Sequence, residues 1–147
     1  MHDPDTSAAL KLWVILNRAQ RAIGDRARRD LERQGLAPAE FAVLELLYHK
    51  GPRTPGEIGA GVLMASGSIT YVVDKLQERG MVARRPCTED RRAVYVELTP
   101  EARARMDEVF PRHAAAVREA MAGLTSEEKG IAAALLKRLG KHARDAE

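Results

Sequence analysis

Residues 66–99, SGSITYVVDKLQERGMVARRPCTEDRRAVYVELT, constrain the fold more than any other stretch, because the hydrophobic period changes once inside them. Ile69, Val72, Val73 and Leu76 fall at i, i+3, i+4 and i+7, which makes one apolar stripe on a helix. The β-branched content would also fit a strand, but the spacing has period 3.6, not 2. Gly80 ends that pattern. Residues 81–85 and 93–98 are strand-like, and Val94, Val96 and Leu98 alternate with other residues. The polar loop PCTEDRR joins the two runs. The stretch therefore predicts a helix with a β-hairpin on its C-terminal end, and the hairpin tip carries Arg91 and Arg92.

The rest of the chain reads as helix. Residues 8–33 place Leu10, Trp13, Leu16, Ile23, Ala27 and Leu31 at approximate three-and-four spacing, and Gly35 follows as a helix-ending glycine. A second helix opens at Pro38 with Glu40 in its first turn, buries Phe41, Leu44, Leu47 and Tyr48, and closes at Gly51-Pro52. Thr54-Pro55-Gly56-Glu57 is a capping box that opens a short third helix. Thr99-Pro100 restarts helix to about residue 122, with Met106, Val109, Phe110, Val117 and Met121 on one face. Pro111 inside it predicts a bend or a split. Thr125-Ser126-Glu127-Glu128 caps a last helix, to about residue 143, striped by Ile131, Leu135, Leu136 and Leu139. The expected fold is mainly α with a small β-hairpin, in the order α-α-α-α-β-β-α-α. The long striped helices at the two ends have no evident partner within one small chain. They bury more against a second copy, so a homodimer is expected.

Composition narrows the class. At 147 residues the chain is one domain, and 45% hydrophobic with 31% charged residues is the balance of a soluble globular protein. No apolar run reaches membrane-spanning length, and the N-terminus MHDPDTS has no export pattern. One cysteine fits a reducing cytoplasm. There is no phosphate loop, Ser-x-x-Lys nucleophile or metal-ligand cluster, and His2, His49, His113 and His142 are scattered. No enzyme activity, cofactor or metal is expected. The net charge of +3 says little, but placement says more. Arg79, Arg84, Arg85, Arg91 and Arg92 crowd the hairpin against only Glu89 and Asp90. The arginines of residues 18–33 alternate with Asp25, Asp30 and Glu32 and read as a solvated face.

Two short helices in succession, the second fronted by small polar residues, fit a helix-turn-helix. Ser66, Gly67, Ser68 and Thr70 allow close approach to base edges and offer hydroxyls that donate or accept. Tyr71 and Lys75 extend the same face, with Thr54 in front of the preceding helix. Arg84, Arg85, Asp90, Arg91 and Arg92 complete the candidate double-stranded DNA contact set. A tip arginine suits the narrow, negative minor groove.

The segments Ser68-Ile69-Thr70-Tyr71-Val72-Val73-Asp74-Lys75-Leu76, Gly80-Met81-Val82, Asp90-Arg91-Arg92 and Val96-Glu97-Leu98-Thr99 together resemble the MarR family of bacterial winged-helix transcriptional regulators. The resemblance implies that residues 36–99 are a winged helix-turn-helix unit and that residues 8–34 and 100–145 are dimerisation helices. It implies that residues 66–79 lie in the major groove, that Arg92 enters the minor groove, and that Asp90 braces an arginine by an ion pair. Such dimers bind pseudo-palindromic operators, and a repressor is expected. The chain departs from the family pattern at Ala37, Ala65 and Tyr71, which bear on two helix caps and on base preference.

The resemblance also implies a small phenolic or aromatic effector between the dimerisation helices and the winged unit. Trp13, Arg18, Tyr48, His49 and Arg85 are its candidate contacts, although core packing is the plainer role for Trp13. GSITYVVDKL is similar to the branch that senses quinones and related phenols. The alternative is a thiol-based redox or electrophile sensor acting through Cys87, whose pKa the surrounding arginines would lower. The remote alternative is a winged helix that binds protein and never DNA.

Overall fold

The computed structural model describes residues 3–62, 66–90 and 92–146, with nothing stated for the Ser66 side chain. Six helices and one hairpin follow in the expected order: α1 Pro4–Arg33, α2 Pro38–Lys50, α3 Pro55–Val62, α4 Ser66–Glu78, β1 Val82–Pro86, β2 Val94–Leu98, α5 Pro100–Ala120 and α6 Ser126–Asp145. The first helix starts four residues before the periodic pattern. Asp3 accepts the Thr6 amide at 2.9 Å and the Thr6 hydroxyl at 2.7 Å, and Pro4 sits in the first turn, so the cap lies ahead of the stripe.

The other caps lie where the sequence places them. Thr54 and Glu57 exchange side-chain bonds to each other's amides, both at 3.2 Å, and Thr125 with Glu128 does the same at 3.1 and 2.9 Å. Ala37 has no side-chain cap, and Glu40 supplies half of one by accepting the Ala37 amide at 3.0 Å. Gly35 and Gly80 have φ of 79° and 71°, the left-handed region that ends a helix. Beyond each, an amide returns to the last turn: Leu36 to the Leu31 carbonyl and Met81 to the Leu76 carbonyl, both 2.9 Å.

The core gathers the stripes of α2 and α4 with Ile58, Val82, Val96 and the first half of α5. Leu44, Leu47, Ile69, Leu76, Val96 and Met106 are all essentially inaccessible. Removing each such side chain from water contributes about 1.5–3 kcal/mol. The hairpin pairs Val82 with Leu98 and Pro86 with Val94, so Pro86 ends a strand instead of belonging to the loop. Arg53 adds a third rung, exchanging backbone bonds with Val96 at 3.1 and 2.8 Å. One bridge residue has no alternation, and the sequence pattern misses it.

Of the bend or split expected at Pro111, the split does not occur, since α5 is continuous from Pro100 to Ala120. Ala102, Met106, Val109 and His113 are buried on both sides of it, so tertiary packing holds the two halves in one helix. Trp13 is not in a core, being 64% exposed. It belongs to a stretch of α1 that also exposes Leu10, Leu12, Val14 and Ile15, with Leu12 and Ile15 on the side turned toward α6. The α6 stripe is equally bare, with Ile131, Leu135, Leu136 and Leu139 exposed and no residue of α6 buried. A groove of about 710 Å³ runs between these two faces. No single described helix is long and apolar enough to cross a membrane.

Candidate nucleic-acid interface

The apolar stripe of α4 decides what its other face can do. With Ile69, Val72, Val73 and Leu76 against the core, Gly67, Ser68, Thr70, Tyr71 and Lys75 are turned to solvent. Tyr71 is 63% exposed, and the Lys75 ammonium lies 5.4 Å from its ring centre. A cation over the ring face holds the pair together without withdrawing the hydroxyl or the charge from the surface. The result is a narrow, lightly charged face rich in hydroxyls. Thr54 stands one helix earlier as the α3 cap, so its hydroxyl already accepts the Glu57 amide.

The wing redistributes the arginines that the sequence groups together. Arg84 leaves β1 toward α4, donating to Asp74 Oδ1 at 2.7 Å and to Gln77 Oε1. Arg85 pairs with Glu97 across the hairpin at 2.9 Å, and its guanidinium carbon lies 5.1 Å from the Tyr95 ring centre. Both are candidate DNA contacts, and both are engaged within the protein: Arg84 ties the wing to α4, and Arg85 staples the two strands. Asp90 Oδ1 accepts the backbone amide of Arg92 at 3.0 Å, as a turn residue does, and among the described residues Asp90 forms no ion pair. Arg92 is exposed and has no ion pair among the described residues. Arg91 lies outside the described residues, as does any cap from the Ser66 side chain.

The missed contributors are Asp74, Gln77, Arg53 and Arg79. Arg79 leaves the end of α4 to meet Glu40 at 2.7 Å and the Gly35 carbonyl at 3.2 Å, binding the reading helix to the elbow between α1 and α2. Every one of these contacts joins separate elements, and local spacing carries no trace of them.

Cys87 is buried just past the loop end of β1, where its amide meets the Ala93 carbonyl at 3.0 Å. Its pKa is lowered, but by hydrogen bonds from the backbone of Asp90, then that of Glu89, then the Tyr95 side chain. Burial and the Glu89 charge act the other way. The expected direction holds and the expected cause does not. A hollow of about 370 Å³ beside it is lined by Arg53, Glu57, Arg85, Cys87 and Tyr95.

The five candidate effector contacts do not meet. Tyr48 and His49 are together, with ring centres 5.1 Å apart, and both approach Phe110, at 6.1 and 4.7 Å. The Tyr48 hydroxyl donates to Asp107 at 2.5 Å, and that bond, ahead of burial and the Asp107 charge, raises the phenol pKa. Trp13 and Arg18 lie on α1, and Arg85 stays in the wing. No group of three or more metal-ligating side chains occurs among the described residues.

Comparison with known proteins adds context to this geometry. A family model described as MarR family matches residues 36–94, which span α2 to the start of β2. An HTH-type transcriptional regulator, MhqR of Bacillus subtilis, is 42% identical over 139 residues, covering 95% of this chain and 96% of its own. A crystal structure of a mutant MarR from E. coli complexed with operator DNA superposes with a TM-score of 0.81 at 23% identity, covering 94% of this chain and 99% of that one. The structure of Bordetella bronchiseptica BpsR, described as regulated in its DNA binding by 6-hydroxynicotinic acid, reaches 0.78 at 25% identity, covering 86% and 90%.

Proposed function

Because the chain belongs to the MarR family of DNA-binding transcriptional regulators, we propose that it acts as a homodimeric repressor on a pseudo-palindromic operator, with α4 in the major groove and Arg92 in the minor groove. The observation that carries this reading is the pairing of a hydroxyl-rich exposed helix face with Arg92, exposed at the wing tip and without an ion pair among the described residues. Ser68 and Thr70 stand at the N-terminal end of α4, where side chains reach base edges, and Tyr71 offers a ring to a thymine methyl or a hydroxyl to a phosphate. Arg92 supplies the charge that the helix lacks. Arg84 and Asp74 fix the angle between the two, so they orient the contact set and do not belong to it. The bare faces of α1 and α6 are the surfaces a second copy would cover, which sets the two reading helices about 34–36 Å apart. The test is a gel shift on the DNA upstream of the chain's own gene. A discrete, competitor-resistant complex is expected, and its absence at low salt sinks the proposal.

Ligand control is the finer part of the reading. A small aromatic anion suits the Tyr48–His49–Phe110 cluster, where α2 meets α5, and Arg103 lies over the Tyr48 ring at 5.7 Å. Release of the protein from DNA by phenolic acids, lost in Tyr48→Ala, is the expected result. A second reading is favoured by Cys87, whose thiolate is stabilised by the turn amides. Alkylation there pushes the loop end of the hairpin apart. Quinone treatment is then expected to abolish the shifted band in the wild type and leave Cys87→Ser unaffected.

A further inference from the structure

The α1 and α5 helices pack along each other, and their charged sides enclose a trough of about 540 Å³ walled by Arg33, Gln34, Arg105, Glu108 and Arg112. A smaller hollow continues it along the same two helices, shares Arg33, and adds Arg26, Arg29 and Glu119. Read as a surface helix, this run of arginines is merely solvated. In the fold its members differ. Arg28 is neutralised by Asp25 at 3.1 Å and Glu32 at 3.4 Å, and Asp30 is committed to His113 at 3.0 Å and Gln34 at 2.8 Å. Arg26, Arg29, Arg33 and Arg112 have no ion pair among the described residues, and they face a concave surface that also holds three acids, Asp30, Glu108 and Glu119. At the trough wall the Gln34 Oε1 is buried with no hydrogen-bond partner, while its amide nitrogen is used on Asp30.

Arg105 connects the trough to the DNA-reading unit. Its Nη2 donates to the Gln34 carbonyl at 2.5 Å and stands 3.0 Å from where a side chain at Gly35 would begin. The next carbonyl, of Gly35, accepts Arg79 from the end of α4. Two arginines, one from α5 and one from the reading helix, thus hold consecutive carbonyls of the same elbow.

We propose that this trough binds a small, multiply charged phosphoanion of the phosphate-ester class, and that occupancy alters DNA affinity by drawing Arg105 off the elbow. Planar guanidinium forks match phosphate oxygens, and several on one concave wall favour a compact polyanion over a single carboxylate. Concavity also favours a small molecule over a duplex backbone. The trough is separate from the Tyr48–His49 cluster and from the bare N-terminal face of α1. The coupling part rests on the DNA-binding reading, whereas binding itself does not.

Calorimetric titration of the full chain with inorganic pyrophosphate, a nucleoside triphosphate and citrate tests the binding step. Saturable binding of a phosphoanion is expected, weakened at least about tenfold in the double variant Arg33→Gln/Arg112→Gln. Both residues are exposed, and an unchanged circular dichroism spectrum certifies the fold. Preference for the triphosphate over pyrophosphate identifies a nucleotide as the source, and the reverse a free phosphoanion. Equal binding of citrate, equal binding by the double variant, or no saturation overturns the site. Anisotropy with labelled operator DNA then tests the coupling. The phosphoanion is expected to shift DNA affinity in the wild type but not in Arg105→Gln. An equal shift in both overturns the elbow mechanism while leaving the binding site intact.

Discussion

At Glu40, burial raises the carboxyl pKa, but the Ala37 amide and the Arg79 guanidinium lower it more, and it ends below the usual 4.5. A depressed carboxyl contributes stability that is fully present above 4.5 and is lost as pH falls through the folded value. Glu40→Gln is therefore expected to cost about 1 kcal/mol in urea denaturation at neutral pH, with the gap from wild type narrowing as the solution is acidified below 4.5. A gap that stays constant with pH would mean the charge is irrelevant. On the exposed face of α4, Ser68→Ala and Thr70→Ala are expected to change which bases are preferred in a binding-site selection. Uniform weakening on all sequences would remove their base-reading role. Residue types made this face readable in advance, because small hydroxylated residues opposite an apolar stripe have few other uses. The fates of Arg84, Arg85 and Asp90 were hidden. Each partner sits on another element or on the backbone, and composition shows how many charges exist but not which are already satisfied.

Elements were easier to read than contacts wherever a cap and a period coincide. Thr54 with Glu57, Thr99 and Thr125 with Glu128 each begin a helix in the structure where their chemistry requires one. The start of α1 was misplaced because Asp3 and Pro4 precede the apolar pattern, and Pro111 leaves α5 unsplit where residues on both sides of it are buried. The wing is held to its helix by Arg84 on Asp74 and Gln77. Arg84→Ala and Asp74→Ala are expected to weaken DNA binding three- to tenfold each, with a double-mutant coupling energy of about 1 kcal/mol and unchanged helix content. Strictly additive losses would show that the pair does not set the wing's angle.

For the whole molecule, two apolar faces and a 710 Å³ groove between α1 and α6 are too large to leave in water, and two copies of the chain would cover them. The apolar stripes read in the sequence, that of α6 throughout and that of α1 at Leu10 and Trp13, are left exposed. How two copies meet is a property of two chains, and one chain's periodicity does not encode it. Leu135→Glu puts a charge in that face. Analytical ultracentrifugation is expected to show a folded monomer that no longer binds operator DNA, and a monomer that still binds would contradict the dimeric reading. The central claim is that a lightly charged helix reads bases while Arg92 anchors the wing electrostatically. It is tested most directly by fluorescence anisotropy of operator DNA across a series of salt concentrations, for wild type and Arg92→Ala. The account predicts weaker binding by the variant and a log–log salt slope lower by about one per subunit. An unchanged slope and affinity in Arg92→Ala would contradict it.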